Sequence, residues 1–220
     1  MIIVAIDEIN FDKASNILNN LDPKKCMVKI GSVSFNSIGH KIISYASKND
    51  FEIFLDLKLH DIPNTVSKSI KGLTNLPIKM LTIHISGGKD MIMSAMNAVS
   101  GTNIKIFGVT ALTSLSDSDS HNIYQRTCYE QVSAMLDIAE ASDIDGVVCS
   151  PHELKLVNKR KSLLSITPGI RINDSLDDQK RIMTPKEAIG LGADYIVIGR
   201  PITSSINIKE SLNKIYESIQ

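Results

Sequence analysis

Short apolar runs rich in Ile and Val recur along the chain, at residues 2–6, 27–30, 52–57, 81–85, 104–109, 146–149, 163–166 and 195–198. Most are continuously apolar rather than alternating, which marks strands covered on both faces. Segments of helical period lie between them. Phe11, Ala14, Ile17 and Leu18 form one apolar stripe, and Val132, Met135, Leu136, Ile138 and Ala139 form another. Leu154, Leu156 and Val157, then Ala188, Ile189 and Leu191, continue the pattern more weakly. The first run begins at Ile2 and the eighth at Tyr195, so successive runs are about 28 residues apart, the length of one strand–helix unit. Eight such units predict an α/β fold, a closed (β/α)8 TIM barrel near the short end of its size range. The alternative is a doubly wound open sheet, which carries a Gly-rich turn after its first strand. Here Asp7-Glu8-Ile9-Asn10 stands in that place. No Pro/Gly/Ser-rich linker interrupts the series, so residues 1–220 read as one domain. The longest stretches without a period are 114–121 and 167–183. Each follows a strand, and long structureless loops at such places usually serve function.

Composition narrows the partners. The 220 residues carry 24 Lys+Arg against 24 Asp+Glu, which argues against a nucleic acid or anionic membrane held by bulk charge. No apolar run approaches a membrane span, and the N-terminus opens directly into Ile2-Ile3-Val4 with no basic leader. Cys26, Cys128 and Cys149 are odd in number and lack C-x-x-C spacing, which fits a reduced, cytoplasmic protein without a disulfide framework. The five histidines have no metal-ligand spacing, and neither a G-x-G-x-x-G nor a Walker loop occurs. We therefore expect no metal and no cofactor.

In this fold the C-terminal strand ends build the active site. Those ends read Asp7, Lys29, Asp56 with Lys58, His84, Thr110 with Thr113, Ser150, Thr167 with Arg171, and Gly199 with Arg200. Asp56 and Lys58 are two residues apart on one strand, so both can face the barrel mouth. With Lys29 on the neighbouring strand and Asp61 just beyond, they can form an alternating Lys–Asp cluster. The bland alternative is an ion-pair network closing the barrel top. The chemical reading is proton donation to a carbanion, because neighbouring opposite charges favour the ionised forms. Two unit charges about 4 Å apart at an effective dielectric near 20 interact by about 4 kcal/mol, roughly three decades in rate. At the other end, Gly199 permits close backbone approach and Arg200 offers a forked donor set, as a phosphate site after the last strand requires. His84 and Cys149 read as barrel-mouth and core residues, and Met91, Met93 and Met96 as a helix side.

The stretch Phe54-Leu55-Asp56-Leu57-Lys58-Leu59-His60-Asp61-Ile62-Pro63-Asn64-Thr65 resembles the orotidine 5′-monophosphate decarboxylases, in the stand-alone bacterial form. Ala5-Ile6-Asp7, Val28-Lys29-Ile30-Gly31, Val109-Thr110-Ala111-Leu112-Thr113-Ser114, Thr167-Pro168-Gly169-Ile170-Arg171, Asp178-Gln179 and Gly199-Arg200-Pro201-Ile202 resemble that family in order along the chain. Thr82-Ile83-His84-Ile85 stands where the family is richer in Asn and Ala. The resemblance implies cofactor-free decarboxylation of orotidine 5′-monophosphate to UMP, the last step of de novo pyrimidine synthesis. It implies that Lys58 protonates pyrimidine C6 and that Asp56 lies beside the departing carboxylate. Lys29 would orient Asp56 and touch the ribose, Asp7 would bind a ribose hydroxyl, and Thr113 would meet the pyrimidine. Arg171, Gln179, Gly199 and Arg200 would serve the phosphate side. Asp61, Ile62 and Thr65 would reach the pocket of a second subunit in a homodimer. Two other readings stay open. One is a magnesium-dependent sugar-phosphate decarboxylase or aldolase sharing only D-x-K-x-x-D. The other is a non-catalytic phosphate-binding protein on the same barrel.

Overall fold

The structure is a computed structural model, and it describes residues 1–171 and 183–220. Its strands are β1 (Ile2–Ile6), β2 (Cys26–Gly31), β3 (Ile53–Leu59), β4 (Met80–His84), β5 (Lys105–Val109), β6 (Gly146–Val148), β7 (Leu164–Thr167) and β8 (Tyr195–Ile198). All pair in parallel, each with the next, and β8 returns to β1, closing a barrel. The open-sheet alternative is excluded by that closing pair, in which Val4 lies opposite Ile198.

The unbroken apolar runs have a direct cause. Ile3, Ala5, Met27, Phe54, Met80, Phe107, Ile166 and Val197 pack together as one buried cluster inside the barrel. Their neighbours Ile2, Val4, Ile6, Val28, Ile53 and Leu55 belong to a second cluster, between the strands and the surrounding helices. Away from the strand ends both faces are dry, so the usual alternation of apolar and polar disappears. Phe107 fills the middle of the barrel edge-on, with its ring 6.5 Å from Phe54 and 6.2 Å from Tyr195.

The helices are α1 (Phe11–Asn19), α2 (Ser32–Ile38), α3 (His40–Lys48), α4 (Pro63–Leu73), α5 (Gly88–Val99), α6 (Asp117–Tyr124), α7 (Cys128–Glu140), α8 (Leu154–Val157), α9 (Pro185–Gly190), α10 (Arg200–Thr203) and α11 (Ile208–Ser218). Their starts are written in local chemistry. Asn10 caps α1, accepting from the amides of Asp12 and Lys13, and Pro63 opens α4. The expected loop at 114–121 is corrected: Ser116 and Asp119 form a capping box and α6 begins at Asp117. Apart from Ile123 and Tyr124 its residues are polar, and only Ser120 is buried, so no apolar period announces it. Likewise β4 ends at His84, and Ile85 opens a short 3-10 turn rather than closing the strand. Among the described residues no helix is long and apolar enough to cross a membrane.

Candidate active site

Each inward row of side chains runs from an apolar floor to a polar mouth. The rows are Ile3-Ala5-Asp7, Met27-Lys29-Gly31, Phe54-Asp56-Lys58 and Met80-Thr82-His84. The mouth encloses a cavity of about 550 Å³, lined by Asp7, Lys29, Asp56, Lys58, Thr113, Arg171, Gly199 and Arg200 among others. Eight of the sequence-predicted site residues therefore converge on one space. Gln179 lies outside the described residues.

A chain of alternating charge crosses the mouth. Lys29 Nζ is 3.0 Å from Asp7 Oδ1 and 3.6 Å from Asp56 Oδ2. Lys58 Nζ donates to the same Asp56 Oδ2 at 2.7 Å. The Asp56 side chain is buried, and burial is the largest influence on it, pushing its carboxyl up. The Lys29 and Lys58 ammoniums, with hydrogen bonds from Lys58 and Thr82, outweigh burial and hold the carboxyl below its ordinary value. Asp56 is thus a buried anion whose second oxygen is shared by two cations.

The alternating cluster expected from sequence is corrected in one member. Within this chain its fourth charge is Asp7, not Asp61. Strand β3 ends at Leu59, and the turn through His60 carries Asp61 to the exposed entry of α4. There Asp61 Oδ1 accepts from the Ile62 amide at 2.7 Å. Ile62 is 66% exposed, and none of Asp61, Ile62 and Thr65 lines the cavity of its own chain.

Asp56 and Lys58 share the inward side, as alternation predicts, but the strand that carries them is not regular. Leu55 pairs with Leu81 and Leu59 with Ile83, so Asp56, Leu57 and Lys58 together face the single residue Thr82. The strand bulges, and Lys58 takes φ 51°, a left-handed conformation that costs a non-glycine residue on the order of 1 kcal/mol. Thr82 and Gly31 are the residues that sequence reasoning missed. The signal for Thr82 was a lone hydroxyl within an apolar strand. Gly31 follows Lys29 on the inward row, and an added Cβ there would fall 2.8 Å from Lys29 Nζ and 3.2 Å from Asp7 Oδ1.

On the opposite rim, Arg171 is buried, and its Nη1 donates to the Ile170 carbonyl at 3.0 Å. Its backbone amide donates to Met183 O, and the Met183 amide donates to Gly169 O, pinning this part of the wall. Gly199 and the exposed Arg200 start α10, whose Thr203, with the following Ser204, also lines the cavity. Thr110 and Ser150 are structural. Thr110 donates its hydroxyl to Val148 O, and Ser150 caps the turn at Pro151–Glu153. His84 stacks beside His60 with ring centroids 5.2 Å apart. Burial, then His60, holds its imidazole below the usual histidine value. Cys149 is a fully buried core residue. Among the described residues, no three His, Cys, Asp or Glu side chains group as metal ligands.

The comparisons with known proteins point to one family. A family model described as "Orotidine 5'-phosphate decarboxylase / HUMPS family" matches residues 1–215. A protein of Ehrlichia canis called orotidine 5′-phosphate decarboxylase is 43% identical, over 99% of this chain and 97% of its own. One of the same name from the Wolbachia of Culex pipiens is 44% identical, over 99% and 98%. The crystal structure of orotidine 5′-phosphate decarboxylase from Lactobacillus acidophilus superposes with a TM-score of 0.87 at 36% identity, covering 100% of this chain and 98% of that one. The chain belongs to the orotidine 5′-phosphate decarboxylase / HUMPS family.

Proposed function

We propose that this chain decarboxylates orotidine 5′-monophosphate to UMP without metal or organic cofactor, with Lys58 as the proton donor. The observation that carries the proposal is the Lys58 ammonium held 2.7 Å from a buried Asp56 carboxylate, at the mouth of the cavity. The C6–carboxylate bond breaks, its electron pair stays on C6, and carbon dioxide leaves. Lys58 Nζ gives its proton to C6, and the resulting amine regains one from solvent. A fixed cation aimed at developing negative charge is the largest expected contribution. Asp56 opposes the substrate carboxylate in the ground state and is relieved as it departs. Lys29 keeps Asp56 ionised and in place, and together with Asp7 it meets the ribose. Thr113 meets the pyrimidine. Arg171, Gly199 and Arg200 take the phosphate, together with Gln179, which lies outside the described residues.

The reading includes a second copy of the chain. Asp61, Ile62 and Thr65 turn away from their own cavity, and Ile62 leaves a large apolar surface in water. A two-fold dimer would bring these three residues to the partner's cavity and bury Ile62. The deciding experiment follows the orotidine monophosphate absorbance with purified protein in excess EDTA, for wild type and Lys58→Ala. Wild type should turn over in EDTA, while Lys58→Ala should lose turnover and still bind UMP. Dependence on added magnesium would favour the sugar-phosphate alternative. Near-normal turnover in Lys58→Ala would defeat the assignment of the proton donor.

A further inference from the structure

The bulge in β3 leaves a gap in the ladder at the proposed proton donor. Three residues of β3 face one residue of β4, and the amide of Lys58 bonds to a side chain of β4, Thr82 Oγ1, at 2.8 Å. The same hydroxyl donates to Asp56 Oδ1 at 2.9 Å. Thr82 is fully buried, so water does not compete for either bond. The direction of both bonds is fixed by chemistry. An amide N–H only donates and a carboxylate only accepts, so the hydroxyl proton points at Asp56. Asp56 Oδ2 is already held by Lys58 and Lys29. The other oxygen, Oδ1, about which the carboxylate would otherwise swing, accepts from Thr82.

We infer that Thr82 is a positioning residue for the reaction, its hydroxyl holding the Lys58 backbone in its left-handed turn and the Asp56 carboxylate at a fixed angle. The inference rests on the proposed roles of Lys58 and Asp56. It joins two requirements that pull against each other. The bulge is needed to turn Lys58 Nζ back toward Asp56, yet it removes the ladder that would hold such a turn. A hydroxyl on the facing strand restores the lost acceptor and ties the cation-bearing backbone to the anion it opposes. Threonine suits the place because a β-branched side chain has few χ1 choices and fits a strand.

Thr82→Val keeps the shape and removes the hydroxyl. Single-turnover decarboxylation by Thr82→Val should slow by roughly 10- to 100-fold, the loss expected for a charge-assisted bond together with an orphaned buried amide. UMP affinity should stay within about threefold, because phosphate and ribose contacts are untouched. Thr82→Ser keeps both bonds and should stay within about threefold of wild type. A merely structural Thr82 would lower thermal stability in both variants and leave the Val–Ser difference in rate absent. Thr82→Val at near wild-type rate would overturn the inference, as would Thr82→Ser falling as far as Thr82→Val. If Thr82→Val fails to fold, Thr82→Ser decides: a tenfold loss with an intact melting transition overturns it. Wild type and Lys58→Ala are run alongside. Inactive wild type removes the decarboxylase reading and this inference with it, whereas active wild type, dead Lys58→Ala and unaffected Thr82→Val remove the inference alone.

Discussion

The ammonium of Lys29 occupies the space that a side chain at residue 31 would fill, since a Cβ on Gly31 would lie 2.8 Å from Lys29 Nζ. Lys29 sits level with Ala5 and Phe54, whereas Asp56 is level with Gly31. The lysine must therefore climb past the next inward position to touch both Asp7 and Asp56. A bare backbone at Gly31 is what lets it do so. This glycine is not a device for backbone freedom, because its φ of −95° and ψ of −176° suit any residue.

Gly31→Ala separates activity from stability. Alanine accepts this backbone, and the less flexible unfolded chain should stabilise the protein by a few tenths of a kcal/mol to about 1 kcal/mol. The added methyl displaces the Lys29 ammonium by a few tenths of an ångström from its position between two carboxylates. Since misplacement by about 1 Å can cost 10²-fold, a loss of about tenfold in kcat is expected. Melting curves and steady-state rates on the same preparation check both halves. An unchanged kcat would show that Lys29 tolerates the shift.

Arg200 reads the phosphate in the proposed function. Arg200→Ala should lower kcat/KM for orotidine 5′-monophosphate by roughly 30- to 200-fold, the worth of one charge-assisted contact of about 2–3 kcal/mol. The same variant should act on orotidine without phosphate almost as wild type does. Equal losses on the two substrates would mean that Arg200 supports the site in another way.

Asp56 sets an acid dependence of stability. Its folded-state carboxyl lies below the ordinary value. Such a group contributes stability above its unfolded pKa, near 4, and loses it as pH falls through the lower folded value. Asp56→Asn leaves Lys29 and Lys58 without their shared anion, so at pH 7 it should be less stable by about 2 kcal/mol. That gap should close as the pH drops below about 4. Urea unfolding of both proteins between pH 3 and 7 measures it. A gap that stays constant or widens toward acid would contradict the depressed carboxyl.

The dimer can be tested by mixing lesions. If Asp61 completes the partner's cavity, Lys58→Ala and Asp61→Ala homodimers are each nearly inactive. A mixed dimer has one cavity with both lesions and one with neither. Random exchange makes about half of all dimers mixed, so about a quarter of wild-type activity per site should return. Mass-tagged chains report the exchange independently. No recovery after confirmed exchange would place Asp61 in the service of its own chain.

The sequence alone determined the barrel, because both faces of every strand are buried and an aliphatic run shows that state without any knowledge of its neighbours. It also marked Asp56, Lys58, Lys29 and Arg200, since a charge at the end of a dry strand is legible locally. Three things were decided only by the tertiary structure. Strand alternation placed Asp56 and Lys58 on one side for an incomplete reason, since register between β3 and β4 creates the bulge and only pairing reveals register. Within one chain Asp7 rather than Asp61 joins the charge cluster, because the closed barrel sets β1 beside β2, whereas the turn after β3 leads outward. Thr82 acquired meaning from Asp56, 26 residues away on the next strand, and Gly31 from the path that Lys29 takes past it toward Asp7 and Asp56. A hydroxyl in a strand and a glycine at its end look ordinary until Asp56 and Lys29 arrive beside them, and that arrival is a property of the folded barrel.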